Sequence, residues 1–308
     1  MNQRWNPNTF MNYRESEHDA CGIIASIEKK KIPTRDNIFA CIDALTTMNH
    51  RAGFINGEGD GVGIHIDIPR GLWEEKLKNS GADASLANHS HFIVGHFFIK
   101  REAEKQHTIE QIIKLANDKD LKEIYVSDNA YSTDALCPIA LQDNPVFLQV
   151  AFIAKEDISQ SVLSALLFEL TISIEKNEHI HVASLSQYHA IYKVMGAGDI
   201  LPKYYPDLSS PLVASTMTLG HNRYCTNTLS SFFRVQPFSV LGHNGEINTI
   251  AKLRDEAQMV GVPLVKGGSD SQDLSRTLEA FIYREGYSLF EALDIVFPPI
   301  INEIKEYK

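Results

Sequence analysis

The sequence has few cysteines, no long apolar run and a shortage of positive charge, and each shortage excludes a class of protein. Its 308 residues include four cysteines without CxxC spacing, so neither a disulfide framework nor a zinc or iron–sulfur site is expected. The 29 lysines and arginines against 39 aspartates and glutamates give a net charge of −10, which disfavours nucleic-acid and membrane partners. No segment reaches the roughly 20 apolar residues of a membrane span, and residues 1–20 lack the apolar stretch of a secretory signal. A cytoplasmic protein is therefore expected.

Apolar residues make up 44% of the chain, enough for a substantial core. Apolar runs predict strands at residues 20–27, 62–68, 91–100, 121–126, 146–154, 180–185, 213–219 and 237–242. In the second of these, every other residue is apolar, which predicts a strand with one buried face. Helical spacing occurs at residues 38–48, 103–117, 158–176, 248–260, 270–285 and 288–296. Thr34 is expected to cap the first of these helices. Successive strands with grouped helices favour a mixed α+β domain over a doubly wound sheet.

Cys21 opens the first apolar run and follows twenty polar residues. A buried structural cysteine is the ordinary interpretation of such a position. The alternative is that residues 1–20 are a leader peptide whose removal leaves a domain of residues 21–308 with a cysteine at its terminus. A terminal cysteine combines a thiol with an α-amine of pKa near ~8, which can accept the thiol proton. Cys21 alone does not decide between the two.

Arg223 lies in the segment HNRYCTNT, which follows a predicted strand. An arginine at a strand end could hold a carboxylate with two parallel, charge-assisted hydrogen bonds. A surface arginine in a polar loop is the simpler alternative. Cys225, two residues later, is expected to be a packing residue rather than a second nucleophile.

Two further segments combine a turn or cap signal with a chemical possibility. Asn244-Gly245 is a strong turn signal, yet the asparagine amide beside a glycine N–H also supplies two donors for the oxyanion of an acyl intermediate. Ser269 or Asp270 could cap the following helix, but the aspartate could equally hold an ammonium group. An arginine for a carboxylate and an aspartate for an ammonium together describe a pocket for an α-amino acid.

Five motifs occur in order: HDACGII, NHRAG followed by GDGVGI, HNRYCTNT, QPFSVLGHNGEINT and GGSDSQDL. The set resembles the class II glutamine amidotransferases of the N-terminal nucleophile hydrolase superfamily, and within them the amidotransferase domain of the glutamate synthase large subunit. The resemblance implies an α+β fold, a four-layer αββα sandwich, and self-processing that exposes Cys21. It implies hydrolysis of L-glutamine to glutamate and ammonia through a thioester on that cysteine. Family members continue with further strands, so a domain truncated at its C-terminus is also expected.

The resemblance also assigns roles to residues in the matching motifs. It implies that Asn244 and Gly245 form the oxyanion hole, that Arg223 binds the α-carboxylate of glutamine, and that Asp270 binds its α-amine. A second set of residues completes the implied site: Thr226, whose backbone would line the pocket, and Arg51 of NHRAG, which corresponds to the family's arginine beside the nucleophile. Family members often have serine where this chain has Cys225.

No metal is expected in the site. His89, His91 and His96 alternate along the chain, but no carboxylate or cysteine lies near them in sequence, which favours solvated or packed histidines over zinc ligands. The resemblance implies no cofactor in this chain; FMN and an iron–sulfur cluster would belong to a partner synthase domain or subunit, which would receive the ammonia.

Two other functions remain open at the level of the sequence. One is a non-catalytic remnant or interaction module of the same fold. The other is an N-terminal nucleophile amidase that acts on other amides. Arg223 and Asp270 argue against the amidase, because both would lack a purpose without an α-amino acid substrate.

Overall fold

The structure is a computed structural model, and it describes residues 21–55, 58–155, 157–223 and 231–298. The predicted leader, Thr226 and Cys225 lie outside these ranges. Two antiparallel four-stranded sheets form the centre of the described part.

The first sheet contains, in spatial order, β1 (Gly22–Ile27), β10 (Met217–Asn222), β4 (Val62–Asp67) and β9 (His189–Val194). The second contains β6 (Leu121–Ser127), β7 (Val146–Ala154), β5 (Phe92–Ile99) and β8 (Ile180–Ser186). All neighbouring strands in both sheets are antiparallel. A small separate ribbon consists of β2 (Phe54–Ile55) and β3 (Glu58–Gly59).

The helices are α1 (Arg35–Thr47), α2 (Arg70–Ser80), α3 (Lys105–Asn117), α4 (Pro138–Gln142), α5 (Gln160–Glu175), α6 (Leu201–Tyr204), α7 (Ile250–Met259), α8 (Asp270–Glu279) and α9 (Leu289–Val296). A π-helical turn, Ala280–Arg284, continues α8. Short 3₁₀ turns occur at Met48–Arg51, Ala84–Asn88, Gly198–Ile200, Pro206–Ser209 and Phe232–Arg234.

Helix α1 begins as its sequence predicts. The Thr34 side chain accepts a hydrogen bond from the Asn37 amide at 3.2 Å, which satisfies one of the unpaired N–H groups of the first turn. Its buried face packs on β10 at Gly220, where a Cβ atom would lie 2.6 Å from Cys41 Sγ. The absence of a side chain at Gly220 therefore lets the helix approach the sheet closely.

Apolar clusters join the layers in the order helix, sheet, sheet, helices. One cluster combines residues of α1, β4 and β9 with Phe98 and Phe147 of the second sheet. Another combines the second sheet with the apolar faces of α3 and α5. Each sheet thus has one face against the other sheet and one against helices. The predicted α+β, four-layer αββα fold is confirmed.

The prediction that β4 has only one buried face is wrong. Its residues are buried on both faces from Val62 to Ile66, including Gly63 and His65 between the apolar positions. The reason is that β4 lies between β10 and β9 in the middle of its sheet, where packed groups cover both sides.

Two predicted strands also differ from the structure. The segment 213–219 becomes a strand only at Met217, because Ser215 instead forms an isolated bridge with Thr34. The segment 237–242 contains no strand: the Phe238 amide bonds to the Leu241 carbonyl in a tight turn. Apolar character without ladder partners is insufficient for a strand. Strand β9 was not predicted, since His189 and Lys193 interrupt its apolar pattern.

Candidate active site

Cys21 and Arg223 lie at the same end of two neighbouring strands. Gly22, the first residue of β1, pairs with Asn222, the last residue of β10. The next residues outward are Cys21 and Arg223, which therefore stand just beyond a pair of matched strand ends. The Cys21 side chain is half-buried at this edge.

Arg51 adjoins the same edge. It ends the 3₁₀ turn after α1, and a Cβ atom built on Gly22 would lie 3.5 Å from Arg51 Cβ. The Arg51 residue is exposed. The arginine expected beside the nucleophile thus lies next to the residue that follows Cys21.

Asn244 reaches the cysteine from a different part of the chain. Its Nδ2 atom donates a hydrogen bond to the Cys21 carbonyl oxygen at 2.9 Å. Gly245 has a φ of +97°, a left-handed conformation that favours glycine. Both residues are exposed, and no strands of a hairpin flank them. Asn244-Gly245 is therefore a bend without a hairpin, and the two-donor interpretation stays a prediction.

Asp270 is the first residue of α8 and is tied to the segment that carries Asn244. Its Oδ2 atom accepts from the Ile247 amide at 3.0 Å, and its Oδ1 accepts from the Ser271 amide at 2.7 Å. Ser269 caps the helix by accepting from the Gln272 amide at 3.2 Å. Capping is thus performed by the serine, while both oxygens of the Asp270 carboxylate accept hydrogen bonds from backbone amides.

Arg223 is almost fully buried, with 6% of its surface exposed. Its Nη1 atom donates a hydrogen bond to the Arg234 carbonyl oxygen. The Arg234 side chain in turn donates from Nε and Nη2 to the Gly267 carbonyl, at 3.1 and 2.9 Å. Arg234 therefore links Arg223 to the loop that precedes Asp270. Nothing in the local sequence of Arg234 indicates this role.

Beneath Arg223 lies a buried polar network that sequence reasoning also missed. Lys193 Nζ is 2.7 Å from His181 Nε2 and donates to the Phe233 carbonyl at 3.2 Å. Burial lowers the pKa of Lys193 to about 7; Glu175 opposes this decrease and Arg223 adds to it. Burial and the charge of Lys193 lower the pKa of His181 to about 4. A neutral His181 accepts from the lysine and donates through Nδ1 to Glu175, 3.0 Å away.

The predicted site residues that the structure describes therefore lie around the neighbouring ends of β1 and β10 or on segments bonded to them. The structure brings together Cys21, Arg51, Arg223, Asn244, Gly245 and Asp270, whereas Thr226 lies outside the described residues. Their roles stay predictions. Among residues 21–298, as far as they are described, no group of three or more histidines, cysteines, aspartates or glutamates is arranged to hold a metal ion. No described helix is long and apolar enough to cross a bilayer.

The two packed antiparallel sheets between helices, with Cys21 and Arg223 at neighbouring strand ends, agree with an N-terminal nucleophile hydrolase fold. The family profile of the class II glutamine amidotransferases matches residues 21–308. The chain therefore belongs to the class II glutamine amidotransferases, and the prediction of an enzyme of this class is confirmed.

Similar proteins carry a more particular name. Glutamate synthase [NADH] of Saccharomyces cerevisiae is 28% identical over an alignment that covers 92% of this chain and 14% of the yeast protein. The ferredoxin-dependent glutamate synthase 2 of Synechocystis sp. is 29% identical, with 92% and 19% covered. The glutamate synthase [NADPH] large chain of Azospirillum brasilense is 31% identical, with 77% and 16% covered. The chain thus spans less than a fifth of the length of these three relatives.

Proposed function

We propose that this chain is a glutaminase domain that hydrolyses L-glutamine to glutamate and ammonia through a γ-glutamyl thioester on Cys21. The observation that carries the proposal is the hydrogen bond between Asn244 and Cys21. Cys21 lies next to the start of β1, and Arg223 lies next to the neighbouring end of β10. These residues supply, within one small region, an attacking sulfur, an oxyanion donor and a cation for the substrate's carboxylate.

The reaction needs two displacements at the glutamine carbonyl. The Cys21 thiol adds to the carbonyl carbon while the α-amine of Cys21 takes the thiol proton. The negative charge on the carbonyl oxygen is stabilised by the Asn244 amide and the Gly245 N–H. The ammonium group of Cys21 returns the proton to the departing nitrogen, which leaves as ammonia. Water then adds to the thioester, and the thiol leaves to give glutamate.

The Asn244 amide must turn towards the substrate for this purpose. In the structure it donates to the carbonyl of Cys21, so its nitrogen already lies within hydrogen-bond reach of the nucleophilic residue. Rotation of the exposed side chain is sufficient to exchange that acceptor for the oxyanion.

Leader removal is part of the proposal, because an amide nitrogen is not a base and Cys21 has an α-amine only after the Ala20–Cys21 bond is broken. The mature domain would comprise residues 21–308. We expect the active protein to be lighter by residues 1–20 and cleavage to require the Cys21 thiol. Intact-mass measurement tests this directly.

Replacement of the nucleophile provides the central test. Cys21→Ala should abolish ammonia release from glutamine and should retain residues 1–20. The exposed Cys137 offers a matched control, and Cys137→Ala should process and turn over glutamine like the wild type. Full glutaminase activity in Cys21→Ala, or a fully active protein that still carries its leader, would refute the mechanism.

The α-amino acid pocket is tested with a modified substrate. N-acylation of glutamine removes the positive charge that Asp270 is proposed to hold, so the acylated compound should be a poor substrate. Equal turnover of both compounds would favour a general amidase instead.

We also propose that the ammonia serves a synthase module of the glutamate synthase type, as the names of the relatives suggest. Any FMN and iron–sulfur cluster would be held by that module. Ammonia-dependent glutamate formation, when the domain and such a module are combined with glutamine, would test the coupling.

A further inference from the structure

His243, the residue before the two proposed oxyanion donors, has both of its backbone groups held by one side chain. Gln236 Nε2 donates to the His243 carbonyl at 3.1 Å, and Gln236 Oε1 accepts from the His243 amide at 2.8 Å. Gln236 is only 6% exposed. The N–H and C=O of His243 belong to the two peptide groups on either side of its Cα atom, so a buried amide that makes both bonds fixes the orientation of both groups.

The His243 carbonyl also receives a hydrogen bond from the first sheet. His221 Nε2 lies 3.1 Å from it, and because a carbonyl only accepts, the proton is on Nε2. Burial lowers the pKa of His221 to about 4, which keeps the ring neutral at neutral pH. His221 belongs to β10, two residues before Arg223, so this bond ties the loop to the strand that bears the proposed carboxylate-binding residue.

The other end of the same loop is held by Asp270. Its bond to the Ile247 amide fixes the residue that follows the segment 244–246. Ser271 Oγ, 3.2 Å from His243 Nδ1, adds a link between the start of α8 and the Gln236 end. Only three residues, including Asn244 and Gly245, lie between the two fixed ends.

We propose that Gln236 is a positioning residue for the oxyanion hole: by holding both backbone groups of His243, it sets the direction in which Asn244 and Gly245 present their donors. The inference rests on the proposed glutaminase function. We assign Gln236 a positioning role and no contact with the substrate, because its side-chain amide bonds to His243 and, at 3.4 Å, to Ser271 Oγ.

Asp270 has two proposed tasks, substrate recognition and support of the oxyanion loop. The same carboxylate that is proposed to bind the α-amine of glutamine holds Ile247, so amine binding and the oxyanion loop share one anchor. Gln236 holds the opposite end without contact to the amine, which makes it the better residue for testing the loop alone.

Gln236→Met removes both bonds to His243, together with the 3.4 Å bond to Ser271 Oγ, while keeping the length of the side chain. We expect kcat to fall by roughly 10- to 100-fold, because small displacements of catalytic donors are costly. KM should change by less than about threefold, because Arg223 and Asp270 keep their places. The exchange rate of the His243 amide, measured by hydrogen–deuterium exchange, should rise by about 3- to 10-fold, as for the loss of one hydrogen bond.

Two further variants make the experiment specific. Gln236→Glu keeps an acceptor for the His243 amide but loses the donor to its carbonyl, so it should retain the slow exchange of that amide and still lose kcat. Gln187→Met serves as a matched control, since Gln187 is also buried and donates two hydrogen bonds, to the Gln160 carbonyl and to Ser164. It should lower the Tm without changing kcat or the exchange of His243.

The outcomes separate this inference from the proposed function. Unchanged exchange of the His243 amide in Gln236→Met would overturn the hold on the loop, even in an active enzyme. Faster exchange with unchanged kcat, or a rise in KM alone, would overturn the positioning role. A wild-type protein without glutaminase activity would reject the proposed function and with it the catalytic part of the inference, whereas the exchange measurement would still report on the loop.

Discussion

Arg223 is fixed by its backbone as well as by its side chain. Its amide donates to the Gly61 carbonyl at 2.8 Å, and its carbonyl accepts from the Gly53 amide at 2.9 Å. The guanidinium is planar and has five N–H donors, of which one on Nη1 bonds to the Arg234 carbonyl oxygen. A rigid backbone and a planar side chain together suit a residue that must hold a substrate in one orientation.

Arg223→Lys keeps the charge but removes the planar pair of donors. We expect kcat/KM for glutamine to fall roughly 30-fold, which corresponds to about 2 kcal/mol, since a lysine ammonium lacks the planar, parallel pair of donors that matches a carboxylate. Steady-state kinetics measure the change. Arg35→Lys, at a site over the Phe39 ring, should leave kcat/KM unchanged. Wild-type kcat/KM in Arg223→Lys would show that the carboxylate binds elsewhere.

At the scale of elements, the contact between α1 and β10 connects the core with the site. Gly220 lies in β10, three residues before Arg223, and the space for its missing side chain is filled by Cys41 and Leu45 of α1. Cys41 is fully buried, and burial raises the pKa of its thiol to about 12, so it acts as a small apolar group. The end of β10 therefore depends on the close approach of a helix.

Gly220→Ala should push α1 and β10 apart. A Cβ atom there would lie 2.6 Å from Cys41 Sγ and 2.8 Å from Leu45 Cδ1, so we expect the free energy of unfolding to fall by about 1–3 kcal/mol. Urea denaturation measures the loss. The double variant Gly220→Ala/Cys41→Ala should recover part of it, because removing the sulfur makes room for the methyl group. If Gly220→Ala alone is as stable as the wild type, helix α1 can move away from β10 without loss of unfolding free energy, and the prediction is wrong.

At the scale of the whole molecule, buried histidines are distributed over both sheets. Four of them have a pKa lowered to about 4, mainly by burial: His65, His96, His181 and His221. Each is neutral in the folded protein at pH 6 but takes up a proton on unfolding, because its unfolded pKa is near 6.5. Proton binding to the unfolded state therefore lowers stability as the solution becomes acidic.

The sign and the pH range follow from these values. Above pH 6.5 each histidine is neutral in both states, so it does not lower the free energy of unfolding. As the pH falls from 6.5 towards 4, each histidine lowers that free energy by about 1.4 kcal/mol per pH unit. Urea denaturation between pH 7 and pH 5 should show this decline. His65→Gln should reduce the slope of the unfolding free energy against pH by the amount that corresponds to one proton taken up on unfolding. The exposed His107→Gln should leave that slope unchanged. A free energy of unfolding that is flat over this range would contradict the prediction.

Much of the fold could be predicted because periodicity and caps are local. The strand 146–154 matches β7, and the helical spacing from Ile38 together with the Thr34 cap locates α1. The strand predicted at 237–242 failed because a strand needs partners, which apolar character cannot supply. Instead of a neighbouring strand, the Gln236 side chain forms hydrogen bonds with the backbone N–H and C=O of His243.

The sequence by itself determined which residues could perform the chemistry: Cys21, Arg223, Asn244 and Asp270 were identifiable because each lies in a motif whose residue types suit a chemical task. Only the tertiary structure decided how these residues are held. Arg234 and Lys193 act through hydrogen bonds to the carbonyls of Gly267 and Phe233, which are distant in sequence. Gln236 acts on the backbone of His243, seven residues along the chain, and a backbone group is the same in every residue. Such contacts leave no mark on the sequence around them, because they depend on which segments the two sheets bring together.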